Sequence, residues 1–123
     1  MIKQNSSFVV LYTNDLEKTA NFYKKFGITI KDQDHRKCVF ELGDFDIHFN
    51  NSEDIPEYKY IFEQARGGGS VIYVEVENLE NYYIIAKSID GALKSEIAVR
   101  PWDTKEFLFQ DPNGYNIVFY EDV

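Results

Sequence analysis

The chain is poor in the residues that staple, kink or ligate. Its 123 residues include one cysteine, one methionine, one tryptophan, two histidines and three prolines. A single cysteine, Cys38, excludes an intramolecular disulfide and, alone, any thiolate zinc cluster. Within RKCVFEL it reads as a small core residue. A cysteine nucleophile needs a histidine base, and His35, three residues away, stands in no catalytic motif. No apolar run reaches the ~18 residues of a bilayer span. The start, MIKQNSSFVV, has one lysine and too short an apolar stretch for a secretory signal, so a cytoplasmic location is expected. Positive charge is also scarce, with 13 Lys and Arg against 21 Asp and Glu, a formal net charge of -8. Such a surface repels phosphate backbones and disfavours nucleic-acid binding, while remaining compatible with a cationic ligand.

Aromatic rings are plentiful: nine tyrosines and ten phenylalanines bring the aromatic share to 16%. Ring faces can stack on planar ligands or hold cations, although many of these rings must be core.

The residues follow an internal repeat. FVVLYTNDLEKTANFY, from Phe8, aligns with VIYVEVENLENYYIIA, from Val71, at an offset of 63. Each reads as a strand, a polar break and a helix. Asn14 is placed to cap the first helix, with Glu17 three residues on as a capping-box partner. Leu16, Ala20, Tyr23 and Phe26 then share one helical face, and Gly27 suits a left-handed stop. The second helix repeats the pattern with Leu79, Tyr82, Ala86 and Ile89, ending near Gly91. Later, DIHF (from Asp46) matches NIVF (from Asn116), which sets His48 over Val118. Further strands are expected at 28–33, 37–42 and 45–50, and at 95–99, 105–110 and 115–120.

The expected fold class is therefore α+β: two βαβββ modules, each with one helix against a curved antiparallel sheet. Module 1 covers about 6–50 and module 2 about 70–121 of a single domain. The connection, about 51–69, holds a short helix from Pro56 and the flexible Gly67-Gly68-Gly69. A phosphate-binding loop needs a helix after its glycines; here a strand follows.

Alternation places Phe8, Val10, Tyr12, Asp46 and His48 on one sheet face, together with Val71, Tyr73, Glu75, Asn116, Val118 and Tyr120. The opposite positions, Val9, Leu11, Ile47, Phe49, Ile72, Val74, Ile117 and Phe119, are uniformly apolar and should lie under the helices. A few polar groups among aromatics is the usual make-up of a small-molecule site; small barrels also fill such space with their own side chains.

YTNDLEKTANFYKKFGI and FLFQDPNGYNIVFYE resemble the opening and closing motifs of the vicinal oxygen chelate superfamily. That superfamily holds glyoxalase I, bleomycin and fosfomycin resistance proteins and extradiol dioxygenases. The resemblance covers nearly the whole chain and implies cupped sheets whose strands line a cavity. It also implies metal ligands at equivalent inward positions of both modules. Matched residue by residue, these are Phe8, His48, Val71 and Val118. Three of them carry no donor atom, and about three protein ligands are needed for a catalytic metal. The resemblance is thus to the metal-free bleomycin resistance branch, which sequesters a small molecule. It implies no cofactor, no metal and a homodimer.

The expected ligand-binding residues are Phe8, Tyr12, His48, Val71, Tyr73, Trp102, Val118 and Arg100. Pro101 forces a turn, leaving Trp102 on a loop at the cavity mouth. Arg100 or Arg66 can grip a carboxylate or phosphate. His48 is a candidate hydrogen-bond partner or acid–base group, or a structural histidine; His35 belongs to an exposed turn. Two other readings stay open. One is a glyoxalase-like lyase or dioxygenase-like enzyme with a non-standard metal, or with His48 as acid or base. The other is a structural module that merely kept the fold.

Overall fold

A computed structural model describes residues 1–3, 7–54 and 56–123; the expected start of module 1, near residue 6, lies outside them. The chain divides into two compact units, Met1–Gln64 and Ala65–Val123.

In the first unit, strand β1 (Val9–Thr13) leads into helix α1 (Leu16–Lys24), then β2 (Thr29–Gln33), β3 (Lys37–Leu42) and β4 (Phe45–Asn51). A 3-10 turn at Pro56–Tyr58 and the short helix α2 (Lys59–Phe62) follow. In the second unit, β5 (Ile72–Glu75) leads into α3 (Leu79–Ser88), then β6 (Ala98–Val99), β7 (Thr104–Gln110) and β8 (Asn116–Asp122). The sheets are four-stranded, ordered β1-β4-β3-β2 and β5-β8-β7-β6. Both are α+β βαβββ modules, but the sheets are mixed rather than wholly antiparallel. The helix carries the chain back to the end where the first strand began, and two hairpins then reverse direction twice. The last strand of each module therefore runs parallel to the first, as in β1 with β4 and β5 with β8.

Alternation commits one face of each sheet to its helix. In the first unit Phe40 and Phe49 are almost wholly buried, and Tyr23 of α1 packs on both at 4.8 and 5.5 Å between centroids. In the second, Tyr82 and Tyr83 of α3 meet Phe119 and Phe107 edge-on at 5.1 and 5.4 Å. Phe109 closes the cluster 4.9 Å from Phe119. Each such ring contributes about 1.5–3 kcal/mol by leaving water. Val9, expected under the helix, is instead 45% exposed, because it begins a strand at the edge of its sheet.

The helix starts differ from expectation. Asp15, not Asn14, caps α1: its backbone is extended and its carboxylate accepts the Lys18 N–H at 3.0 Å. A charged cap also suits the positive helix end. Asn14 lies against the Ser52 hydroxyl, and the buried pair Thr13 and Thr19, joined at 3.0 Å, ties strand to helix. At α3, Asn78 has φ 62 and its side chain makes no capping bond. The Leu79 N–H instead donates to Glu121 Oε1 of β8 at 2.6 Å. The strand expected at 95–99 shrinks to Ala98–Val99. Ser95 Oγ accepts the Leu108 N–H at 2.8 Å, taking the place of a ladder carbonyl.

DPNG is a turn built on Asp111, whose buried carboxylate accepts the N–H groups of Asn113 and Tyr115, both at 2.9 Å. The glycine run is not uniformly loose. Gly67 has φ +76, and a Cβ there meets the Gly114 carbonyl oxygen at 2.4 Å. The Asn116 amide donates to the Gly67 carbonyl at 2.9 Å. Gly67→Ala is therefore expected to lower unfolding free energy by about 2–4 kcal/mol, combining left-handed strain with a backbone clash. Gly69, with φ +78 and open space around it, should lose only about 1–2 kcal/mol as alanine; paired urea melts compare the two.

Candidate functional site

Each sheet turns its other face away from its own helix, and the expected site residues lie there. On the first unit, Val10 and Val39 flank His48 as direct ladder partners. The Phe8 ring stacks on the His48 imidazole at 4.0 Å and 15°. Around them Lys31 pairs with Asp46 at 3.0 Å and Lys37 with Asp32 at 3.5 Å. A depression of about 510 Å³ is bordered by Phe8, Lys31, Glu41, Asp44, Phe45 and Asp46, so its walls are more charged than aromatic. Tyr12, half-buried on this face, has its phenol pushed up by burial and by Tyr58.

Partial burial holds the His48 pKa below its ordinary value, and Lys37 adds to this; Asp46 opposes it less strongly. Its imidazole is therefore neutral near pH 7. Cys38 is fully buried on the helix side, where loss of water pushes its thiol up to about 11, an inert core position. His35 is exposed between β2 and β3.

On the second unit Tyr73 lies opposite Val118, and Glu106 opposite Tyr120. The Tyr73 and Tyr120 rings stand 5.9 Å apart at 53°. Val118 is buried, whereas Val71 and Tyr73 are half exposed. Arg100 Nε lies 3.4 Å from Glu106 Oε1. Tyr73 engages the same carboxylate, and burial followed by that contact raises the phenol's pKa. Trp102 follows in the turn closed by Asp103 N–H to the Arg100 carbonyl at 3.0 Å, and is 59% exposed. Glu106, only 3% exposed, is the site residue that sequence reading missed. Its signal was the alternation itself: in TKEFLFQ it shares parity with Leu108, opposite the buried Phe107 and Phe109.

The metal-ligand positions matched by resemblance do not fit a metal. Phe8, Val71 and Val118 have no donor atoms, and beside His48 the Asp46 carboxylate is engaged by Lys31. Among the described residues no three of His, Cys, Asp and Glu gather to hold an ion, and no helix is long and apolar enough to cross a membrane.

The family model for the Glyoxalase/Bleomycin resistance protein/Dioxygenase superfamily matches residues 6–119, and the chain belongs to that superfamily. Solved structures share the fold. A hypothetical protein from S. aureus is 21% identical, covering 98% of this chain and 94% of its own, with a TM-score of 0.79. A glyoxalase/bleomycin resistance protein/dioxygenase family enzyme from Burkholderia phytofirmans is 16% identical, covering 95% and 98%, with a TM-score of 0.78. A bleomycin-binding protein complexed with bleomycin is 16% identical, covering 98% and 100%, with a TM-score of 0.68. No curated protein matches the chain in sequence.

The lowered His48 pKa fixes a sign. At pH values above the ordinary 6.5 both folded and unfolded chains hold it neutral. As pH falls through 6.5 the unfolded chain binds the proton first, so stability declines until the folded pKa is passed. An NMR titration of His48 is expected to give a midpoint below 6.5, and His48→Gln should flatten the acid limb of the stability curve. A midpoint above 6.5 would contradict the desolvated environment.

Proposed function

We propose that this protein binds a small molecule without a metal, sequestering an aromatic, cationic compound such as an antibiotic rather than transforming it. The observation that carries the reading is the donor set. Of the four positions where the superfamily resemblance puts metal ligands, only His48 has a donor atom, and Phe8 covers it by stacking. Lewis-acid chemistry needs several ligands to fix the ion. What these faces offer instead is half-exposed aromatic surface at Phe8, Tyr73 and Trp102. On the first unit's open face the proposed binding residues are Phe8, Tyr12 and His48; on the second unit they are Val71, Tyr73, Arg100, Trp102 and Val118. The bleomycin complex of a protein with the same fold supports a ligand of this kind, and antibiotic resistance is the role we favour. In this reading the chain acts as one domain in the cytoplasm.

A second reading has its own support. A neutral His48 is available as a base, and as an acid once it has taken up a proton, which suits a glyoxalase-like lyase.

The test is a thermal-shift screen over antibiotics and metabolites, followed by Trp102 fluorescence. A ligand at ~100 times its Kd stabilises by ~2.7 kcal/mol, a rise of roughly 8–14 °C. Near-stoichiometric zinc, nickel, manganese or iron in protein grown in metal-rich medium would sink the metal-free reading. Substrate turnover lost in His48→Gln would favour the second.

We also propose a homodimer, supported by the apolar side chains Phe8, Val9 and Val71, exposed where the edge strands β1 and β5 begin, which favour cover. Size-exclusion chromatography with light scattering is expected to give twice the 14.4 kDa chain mass; a monomer at high concentration would remove the dimer.

A further inference from the structure

Glu106 is a buried carboxylate with an incomplete set of partners. Its Oε1 meets Arg100 Nε at 3.4 Å, beyond the ~2.7–2.9 Å of a strong charge-assisted bond, and the Tyr73 phenol engages the same carboxylate. Its Oε2 is buried and accepts no hydrogen bond among the described residues. Thr104 Oγ1, two residues away on the same face of β7, is likewise buried without a partner. Leaving an ionised oxygen in that state costs free energy that a leucine, such as Leu108 on the same face, does not. The carboxylate contributes nothing to the aromatic core, which lies on the other side of the sheet.

The surroundings favour positive charge. Tyr120 sits directly opposite Glu106 in the ladder, and the Tyr73 ring stands 5.9 Å from the Tyr120 ring, so two aromatic rings share the carboxylate's side of the sheet. Glu75, exposed on the same face of β5, adds negative potential, as does the chain's net charge of -8. Arg100, with 41% of its side chain exposed and one long contact to hold it, is the part able to yield.

Resting on the small-molecule reading above, we infer that Glu106 is the anionic subsite of this face. Its Oε2, two residues along the same face of β7 from the Thr104 hydroxyl, accepts hydrogen bonds from a protonated amine or guanidinium, and the ligand's aromatic body lies on Tyr73 and Tyr120. Bound cation and carboxylate then satisfy one another in a partly dry setting, where the pairing is stronger than in bulk water.

Three probes sharing one indole ring test this by amide NMR titration of the wild-type protein: tryptamine, 3-methylindole and indole-3-propionate. Tryptamine is expected to shift the amides of Tyr73, Glu106 and Tyr120, with a Kd at least about tenfold below that of 3-methylindole and the propionate weakest. Glu106→Gln, which keeps the shape and removes the charge, should bring tryptamine to the level of 3-methylindole. The wild-type panel stands even if the variant fails to fold. No tryptamine shift at these amides, or an unchanged tryptamine Kd in a folded Glu106→Gln, overturns the inference. Equal binding of all three probes there removes the cation subsite and leaves the small-molecule reading standing. Silence from the panel and from the thermal-shift screen removes both.

Discussion

Each module depends on one packing event: a short helix laid across a row of phenylalanines on a four-stranded sheet. Tyr23 on Phe40 and Phe49, and Tyr82 and Tyr83 on Phe119 and Phe107, remove large rings from water on one face only. Because strand side chains alternate, committing those rings to the helix commits their neighbours to the opposite face. His48 and Val39 are placed beside Ile47, Phe49, Cys38 and Phe40 by that rule, and Glu106 between the strand positions of Phe107 and Lys105. The helix-covered face supplies stability, and the face across the sheet is thereby left to chemistry.

Polar contacts then settle where the elements begin and end. Asp111 organises its turn by accepting two backbone N–H groups, and the Gly114 carbonyl it presents is approached closely enough by Gly67 that no side chain fits there. Glu121, at the far end of β8, caps α3 in place of a local residue. That carboxylate ends FLFQDPNGYNIVFYE, the stretch that resembles the superfamily's closing motif, and its partner here is a helix N-terminus. An acidic residue in a recognised motif can thus serve the backbone rather than a ligand.

The open faces differ in kind. On the first unit the charges are paired, with Lys31 on Asp46 and Lys37 on Asp32, and the lone imidazole is stacked and neutral. On the second a carboxylate is buried with one long ion pair and two tyrosines. Superfamily membership fixes the scaffold, and the recognition we propose rests on the side chains of these faces. Phenylalanine and valine offer no lone pair, whatever their positions.

Much was legible before any coordinates. The repeat, the module order, the strands at 37–42 and 45–50 and the pairing of Phe8 with His48 on one face follow from period-two alternation and turn residues, which are local properties. The parallel first strand was not legible, because direction emerges only after a helix and two hairpins are counted in space. Nor was the cap of α3, since the backbone at Asn78 turns left-handed and its acceptor arrives from 42 residues away. Glu106 was hidden for a related reason: a lone glutamate in a strand reads as a solvated face. What the amino-acid order determined by itself was which side chains share a face. Tertiary structure decided which of them are dry, because burial depends on neighbours from other strands, and a carboxylate's meaning changes once water is taken from it.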